Sequence, residues 1–165
     1  SKILQEVTYP WSERLGDNRR LVWAGDIDNP VDLPRIEPHY STKEIWQELD
    51  HFLSNQRSCF SLIIETETHC VALVDHVRSY PVYLKASAPF ALYTDVQSDA
   101  FKELTSDFQD NGRTEEFLLC GYVLGGNTIF KNISNLQAGQ SLVIEKRVAK
   151  IQRHSHFQYF PSKPL

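Results

Sequence analysis

The apolar residues follow a helical spacing early in the chain, immediately after a helix-start signal. Four of them recur on one face of a predicted helix: Ile45, Leu49, Phe52 and Leu53. The preceding residues 41–44 match a capping box, in which the Ser41 oxygen accepts from a free backbone N–H and Glu44 reaches back. The pattern therefore predicts a helix that begins at Ser41 and ends near Asn55.

Beyond Asn55 the apolar residues take an extended pattern. Residues 58–64 and 70–74 flank a polar turn and predict a β-hairpin. Further short strands are predicted at residues 21–23, 80–84 and 90–93. Pro81 indicates that the strand at 80–84 begins there or lies at a sheet edge.

The second half of the chain predicts helices followed by strands. A helix capped by Asp95 or Ser98 is expected to run through residue 108 and to end at the Asn-Gly pair 111–112. Thr114 is expected to cap a short third helix, and residues 142–144 and 150–153 predict a final hairpin. Runs of strands alternating with helices favour an α+β fold over a parallel doubly wound sheet.

Composition narrows the function classes. A chain of 165 residues with net charge −4 fits one domain and argues against a general nucleic-acid binder. Its longest apolar run, residues 60–64, is too short to cross a bilayer, and no signal peptide opens the sequence. We therefore expect a cytoplasmic protein with no membrane contact.

The three cysteines carry no metal or disulfide pattern. Cys59, Cys70 and Cys120 show no C-x-x-C spacing and no histidine at a ligand spacing. Because all three lie in apolar stretches, we expect buried free thiols.

Several ordered segments resemble one enzyme family. Residues 58–64 resemble a "G-x-F-A-x-x-I" strand, 74–83 an "R-D-x-x-G-x-x-P-L-Y" turn and strand, 117–133 an "L-x-x-G-Y … T-L-F-x-x-I" segment, and 136–140 an "L-x-P-G-H" turn. Together with the capped helix, they make the chain similar to the class II glutamine amidotransferase domain of asparagine synthetases. The resemblance implies the four-layer αββα sandwich of N-terminal-nucleophile hydrolases, here with a shortened N-terminal part. It places a glutaminase-like domain at residues 1–155 and the start of a linker at 156–165.

The same resemblance implies a degenerate active site. The family attacks glutamine with an N-terminal cysteine whose free amine serves as base, whereas this chain begins with Ser1. Thr42 stands where the family has the aspartate that holds the glutamine ammonium, and a neutral hydroxyl cannot replace that contact. The family's asparagine-glycine pair before the helix is also missing. No catalytic residue is therefore assigned; Ser1 remains a candidate nucleophile.

Two other polar clusters are candidates for chemistry. Asp75, His76, Arg78 and Ser79 superficially suggest a hydrolytic set, but residues so close in sequence rarely reach triad geometry. A salt-bridged turn is the favoured interpretation. His154 and His156 alternate on an extended tail and could bind a metal, although no third ligand is in sight. We expect solvent exposure or a domain contact for them, and no metal site.

The favoured function is a glutaminase-like domain without glutaminase activity that scaffolds or regulates an ATP-dependent, amide-forming synthetase domain. That partner, in the same chain or a separate one, would bring ATP and magnesium; this chain carries no S-G-G-x-D-S loop and no cofactor is expected in it. Self-association stays open. The alternatives are an active amidohydrolase that uses Ser1 and a stand-alone ligand- or protein-binding module.

Overall fold

A computed structural model describes residues 3–4, 7, 9–16, 18–27, 33–85, 89–95, 101–102, 109–146 and 148–154. In chain order, these residues form β1 Ser12–Leu15, β2 Arg19–Gly25, α1 Thr42–Ser54, β3 Phe60–Thr66, β4 His69–Val74, β5 Tyr83–Lys85, β6 Ala91–Tyr93, α2 Asn111–Cys120, β7 Ile133–Asn135, β8 Gln140–Glu145 and β9 Val148–Arg153. None of the helices in this part of the chain is long and apolar enough to span a membrane.

The strands form two antiparallel sheets. The larger has six strands in the order β1-β2-β3-β4-β8-β9, and the smaller has three in the order β6-β5-β7. Every neighbouring pair is antiparallel. The α+β class is confirmed.

Helix α1 starts where the capping box predicts. Ser41 has extended backbone geometry, and its Oγ accepts from the Glu44 N–H at 3.3 Å while Glu44 Oε2 accepts from the Ser41 N–H at 2.7 Å. These bonds satisfy two backbone donors that the helix itself leaves unpaired. The predicted apolar stripe is buried along its whole length.

The larger sheet buries both of its faces because its strands alternate. One face packs on α1, with Leu62 and Leu73 contacting the helix stripe. The opposite face carries Ile63 and Ala72 into a second core that also contains Leu84 of the smaller sheet. Residues 60–64 of β3 and 70–74 of β4 are therefore apolar apart from Ser61, and they form nearly continuous hydrophobic runs in the sequence.

The outer face of the smaller sheet has its own cluster. Phe101 is buried there against Tyr83, Tyr93 and Phe130, with ring centroids 5.4–5.6 Å apart. Most of the predicted helix at 95–108 lies outside the described residues, so the fourth layer of the expected sandwich stays a prediction. The proposed linker at 156–165 also lies outside them.

The structure corrects the prediction around residue 111. The Asn-Gly pair opens α2 rather than ending a helix, because Asp110 is the N-cap and accepts from the Arg113 N–H at 3.1 Å. Thr114 lies inside the helix and donates its hydroxyl to the Asp110 carbonyl at 2.8 Å. Asp110 itself is extended, and its N–H donates to the Ile129 carbonyl at 2.8 Å.

Smaller differences concern strand ends. The strand predicted at 21–23 extends over the whole of β2, and β1 beside it has no counterpart in the prediction. The strand predicted at 80–84 is shorter and later, at Tyr83–Lys85. The final hairpin is longer than predicted, with β8 and β9 paired from Gln140↔Arg153 to Glu145↔Val148.

Candidate functional site

Thr42, the first residue of α1, lies against the β8–β9 hairpin. Its Oγ1 donates to Glu145 Oε2 at 3.0 Å, and Lys150 Nζ donates to the same Oγ1 at 3.4 Å. A cavity of about 160 Å³ opens beside these groups. The capping box at Ser41 makes Thr42 the first residue of α1, and the two hydrogen bonds join that end of the helix to the hairpin.

Glu145 places a carboxylate beside Thr42, the position at which the resembled family has an aspartate. The hydrogen bond from Thr42, followed by contacts with Lys146, lowers the pKa of Glu145. Lys146 Nζ is 3.4 Å from Glu145 Oε1. The carboxylate therefore already has an ammonium partner from the chain itself, and this arrangement fits a structural tie between α1 and the hairpin.

The Asp75 turn is a backbone-binding structure. Asp75 is buried; its Oδ2 accepts from the Phe60 N–H at 2.9 Å and its Oδ1 from the Val77 N–H at 2.7 Å. The favoured interpretation was a salt-bridged turn; in the structure Arg78 Nη1 donates to Asn135 Oδ1 at 3.0 Å. The carboxylate that a hydrolytic set would need is engaged in holding the turn.

His154 is buried against α1 of this same domain, whereas solvent exposure or a domain contact was expected. Its Nδ1 contacts Asp50 Oδ1, and its ring lies 6.1 Å from the Trp46 ring. These contacts attach the end of β9 to α1. His156 lies outside the described residues. Within the described ranges, no group of three or more histidine, cysteine, aspartate or glutamate side chains is arranged to hold a metal ion.

The cysteines differ in exposure. Cys70 is fully buried between the sheets, and burial raises the pKa of its thiol well above the ordinary value. Cys59 and Cys120 are exposed, so the expectation of three buried thiols is wrong for these two. All three are free. Ser1 lies outside the described residues.

His69 was not singled out from the sequence, although it lies in the same region as Thr42. It begins β4 and is buried; its Nδ1 lies 2.8 Å from Thr68 Oγ1. Burial lowers the pKa of His69, and the nearby Glu145 opposes that effect. Glu145 and His69 are 76 positions apart, and only the pairing of β4 with β8 brings them together.

No protein-family model and no curated protein sequence matches the chain. Among solved structures, it is similar to the glutamine phosphoribosylpyrophosphate amidotransferase from B. subtilis complexed with ADP and GMP: 12% identity and a TM-score of 0.47, over 91% of this chain and 32% of that one. It is also similar to a structure described as the allosteric regulatory enzyme of purine biosynthesis: 15% identity and a TM-score of 0.47, over 87% of this chain and 30% of that one. The chain spans about a third of the length of each. Neither likeness assigns a reaction to this chain.

Proposed function

We propose that this chain is a glutamine-amidotransferase-like domain with the N-terminal-nucleophile fold that has lost glutaminase chemistry and serves as a docking scaffold for an amide-forming synthetase domain. The sequence segments that resemble the asparagine-synthetase family support this assignment. Two facing antiparallel sheets with α1 on the outside agree with the family fold.

The observation that carries the scaffold proposal is the apolar surface of α2. The helix contributes no buried residue. Five large apolar side chains of the helix and the turn after it are exposed, and we call them the α2 patch: Phe117, Leu118, Leu119, Tyr122 and Leu124. Leu118 and Leu119 are 76% and 85% exposed. Five exposed apolar side chains within eight residues support an interaction site on α2 and the turn after it.

The turn after α2 folds back beside the helix. Gly121 takes a left-handed conformation and donates to the Phe117 carbonyl at 2.8 Å. The Leu124 N–H then donates to Glu116 Oε1 at 3.1 Å. These bonds hold Tyr122 and Leu124 near the helix end, so the patch is presented by a fixed piece of backbone.

The loss of glutaminase chemistry is supported by the fate of the reactive groups. The Asp75 carboxylate binds backbone donors, Cys70 is sealed between the sheets, and Thr42 is tied to Glu145. A thiol that is buried with a raised pKa supplies no thiolate for attack.

A glutaminase assay tests the catalytic half of the proposal. Protein that begins at Ser1 is incubated with glutamine, and the released glutamate and ammonia are measured. We expect no release above background. Turnover that is abolished by Ser1→Ala would instead establish the active N-terminal hydrolase, and turnover lost in Cys59→Ala would establish a different hydrolase mechanism.

Capture of an ATP-dependent synthetase tests the scaffold half. The chain is purified from its native cells, and associated proteins are searched by mass spectrometry for an S-G-G-x-D-S loop. We expect such a protein to be recovered by the wild type and lost with Leu118→Lys/Leu119→Lys. Val148→Lys/Ile151→Lys is the matched control, since it also charges two exposed apolar residues but lies on β9.

Two results would overturn the scaffold proposal. One is recovery that is equal in both double variants. The other is a homodimer, detected by sedimentation, that only the α2 variant abolishes while no synthetase is recovered; the patch would then serve self-association. A reading frame that continues beyond Leu165 into an S-G-G-x-D-S loop would place the partner in the same chain.

A further inference from the structure

A cavity of about 610 Å³ lies at the β1 edge of the larger sheet, on the face that carries α1. Strands β1 and β2 line one side of it, and the irregular segment at residues 33–38 lines the other. Its volume falls in the range of small-molecule sites. It does not include Thr42 or the α2 patch.

Strand register explains why arginines meet in this cavity. Arg14 pairs with Leu21, and residues paired across an antiparallel ladder point to the same face. Arg19 is two residues before Leu21, so it shares that face as well. Leu21 and Ile36 belong to the core under α1. Arg35, from the opposite wall, completes a set of three guanidinium groups.

Arg20, the residue after Arg19, differs from these three arginines because two carboxylates neutralise its charge. It points to the other face, where its Nε donates to Glu13 Oε1 at 2.5 Å and its Nη1 to Glu65 Oε2 at 3.4 Å. Arg14, Arg19 and Arg35 are exposed. None of the three guanidinium groups has a hydrogen bond or ion pair to another residue in the described part of the chain.

The charge of the cavity opposes that of the molecule. The chain carries a net charge of −4, yet the lining described here has three guanidinium groups against the one carboxylate of Glu37. Guanidinium groups bind phosphate through paired, charge-assisted hydrogen bonds. Leu21, Leu33 and Ile36 add an apolar part to the lining, which suits the carbon portion of a ligand.

We propose that this cavity binds a small organic phosphate. Arg14, Arg19 and Arg35 contact the phosphate group, and the carbon part of the ligand rests on the apolar lining. A dianionic phosphate ester matches three cations better than a single carboxylate does. The three arginines line one cavity in a chain of net charge −4, which argues against the extended basic surface that a nucleic acid requires.

Isothermal titration calorimetry with three probes tests the chemistry of the ligand. Phenyl phosphate has both an anionic and an apolar part, inorganic phosphate lacks the apolar part, and phenol lacks the charge. We expect saturable binding of phenyl phosphate, weaker binding of inorganic phosphate and none of phenol. Equal binding of phenol and phenyl phosphate, or no saturable binding of phenyl phosphate at millimolar concentration, would overturn the proposal. If inorganic phosphate bound as tightly as phenyl phosphate, the proposed contact between the carbon part of the ligand and the apolar lining would be wrong.

Variants locate the site. Arg14→Ala/Arg35→Ala removes two of the three cations, and we expect the affinity for phenyl phosphate to fall by about tenfold or more, as for the loss of charge-assisted hydrogen bonds. Arg153→Ala is the matched control, because it removes an exposed arginine at the opposite edge of the same sheet. Circular dichroism checks that each variant is folded. An affinity unchanged in the double variant, or lowered equally in Arg153→Ala, would place the ligand elsewhere. The proposal stands or falls independently of the glutaminase assay.

Discussion

The hydrogen bonds around Ser41 make the start of α1 depend on a single side chain. Ser41→Ala removes the oxygen that accepts from the Glu44 N–H and should lower the free energy of unfolding by about 1 kcal/mol. Urea denaturation measures this as a lower midpoint with an unchanged slope. Ser54→Ala, at the other end of the helix, is the control for a generic loss of a serine. An unchanged midpoint in Ser41→Ala would contradict this role for the cap.

The same cap predicts a pH dependence. The hydrogen bonds from Ser41 lower the pKa of Glu44 in the folded protein. A carboxylate with a depressed folded pKa contributes stability above its unfolded pKa, about 4.3 for glutamate, and this stability is lost as the pH falls through the folded value. The difference in midpoint between wild type and Ser41→Ala should therefore shrink between neutral pH and about pH 3. A difference that stays constant over this range would mean that the Ser41 hydroxyl does not stabilise the charged form of Glu44.

Alanine substitution at two glycines with left-handed backbone angles distinguishes the cost of backbone strain from the cost of steric overlap. Gly25 has φ +80° and Gly121 has φ +77°, but only at Gly25 would an added Cβ lie 2.1 Å from the Cys59 carbonyl oxygen. Gly121→Ala should cost about 1–2 kcal/mol for the backbone alone. Gly25→Ala should cost a further ~1–3 kcal/mol, because β2 must move away from the residue before β3. Chemical denaturation of both variants checks this order, and equal losses would contradict the close approach at Gly25.

At the scale of elements, the two helices contribute differently to the fold. Leu49 of α1 is fully buried, whereas Leu119 of α2 is 85% exposed. Leu49→Ala should lower the free energy of unfolding by about 2–5 kcal/mol, and Leu119→Ala should change it by less than about 0.5 kcal/mol. The same substitution in two helices makes each variant the control for the other. A large loss in Leu119→Ala would mean that the α2 patch packs within the domain.

The elements differ in how far the sequence predicts them. Helix α1 carries its start signal and its apolar stripe within one short segment, so its position follows from local physics. The start of α2 does not, because an Asn-Gly pair fits either end of a helix. Asp110 caps α2, and its own N–H donates to the carbonyl of Ile129, 19 positions away, so both a local cap and a tertiary contact mark the start of this helix.

For the whole molecule, the environments of the cysteines report on the closure of the two sheets. Cys59 and Cys120 should react quickly with a soluble disulfide reagent, whereas Cys70 should react only when the sheets separate. Absorbance should show two fast equivalents of thiol in native protein and three in denaturant. Cys70→Ser leaves the fast phase intact and serves as the control. Three fast equivalents in the native state would contradict the sealed core.

A prediction for the whole molecule concerns the aromatic residues near the C-terminus. Phe157, Tyr159 and Phe160 are expected to form part of the surface that meets a neighbouring domain. Their positions lie outside the described residues. Replacing all three with serine should leave the denaturation midpoint within about 0.5 kcal/mol, as for surface residues, and should weaken recovery of the synthetase. A large fall in the midpoint would place them in the core of this domain.

The sequence by itself determined the α+β class, the beginning of α1, and the hairpins β3–β4 and β8–β9, because caps, apolar periodicity and turns act over a few residues. It also showed that Ser1 and Thr42 stand where the resembled family has a cysteine and an aspartate. Only the tertiary structure decided that Glu145 stands beside Thr42, that His154 is buried against α1, and that Arg14, Arg19 and Arg35 meet in one cavity. The contacts of Thr42 with Glu145 and of His154 with α1 join distant parts of the chain, whereas the three arginines are closer in sequence and meet through the arrangement of β1, β2 and the segment at residues 33–38. A shift of β2 by one residue against β3 would turn Arg19 to the opposite face of the sheet, and that pairing joins strands that are far apart in the sequence.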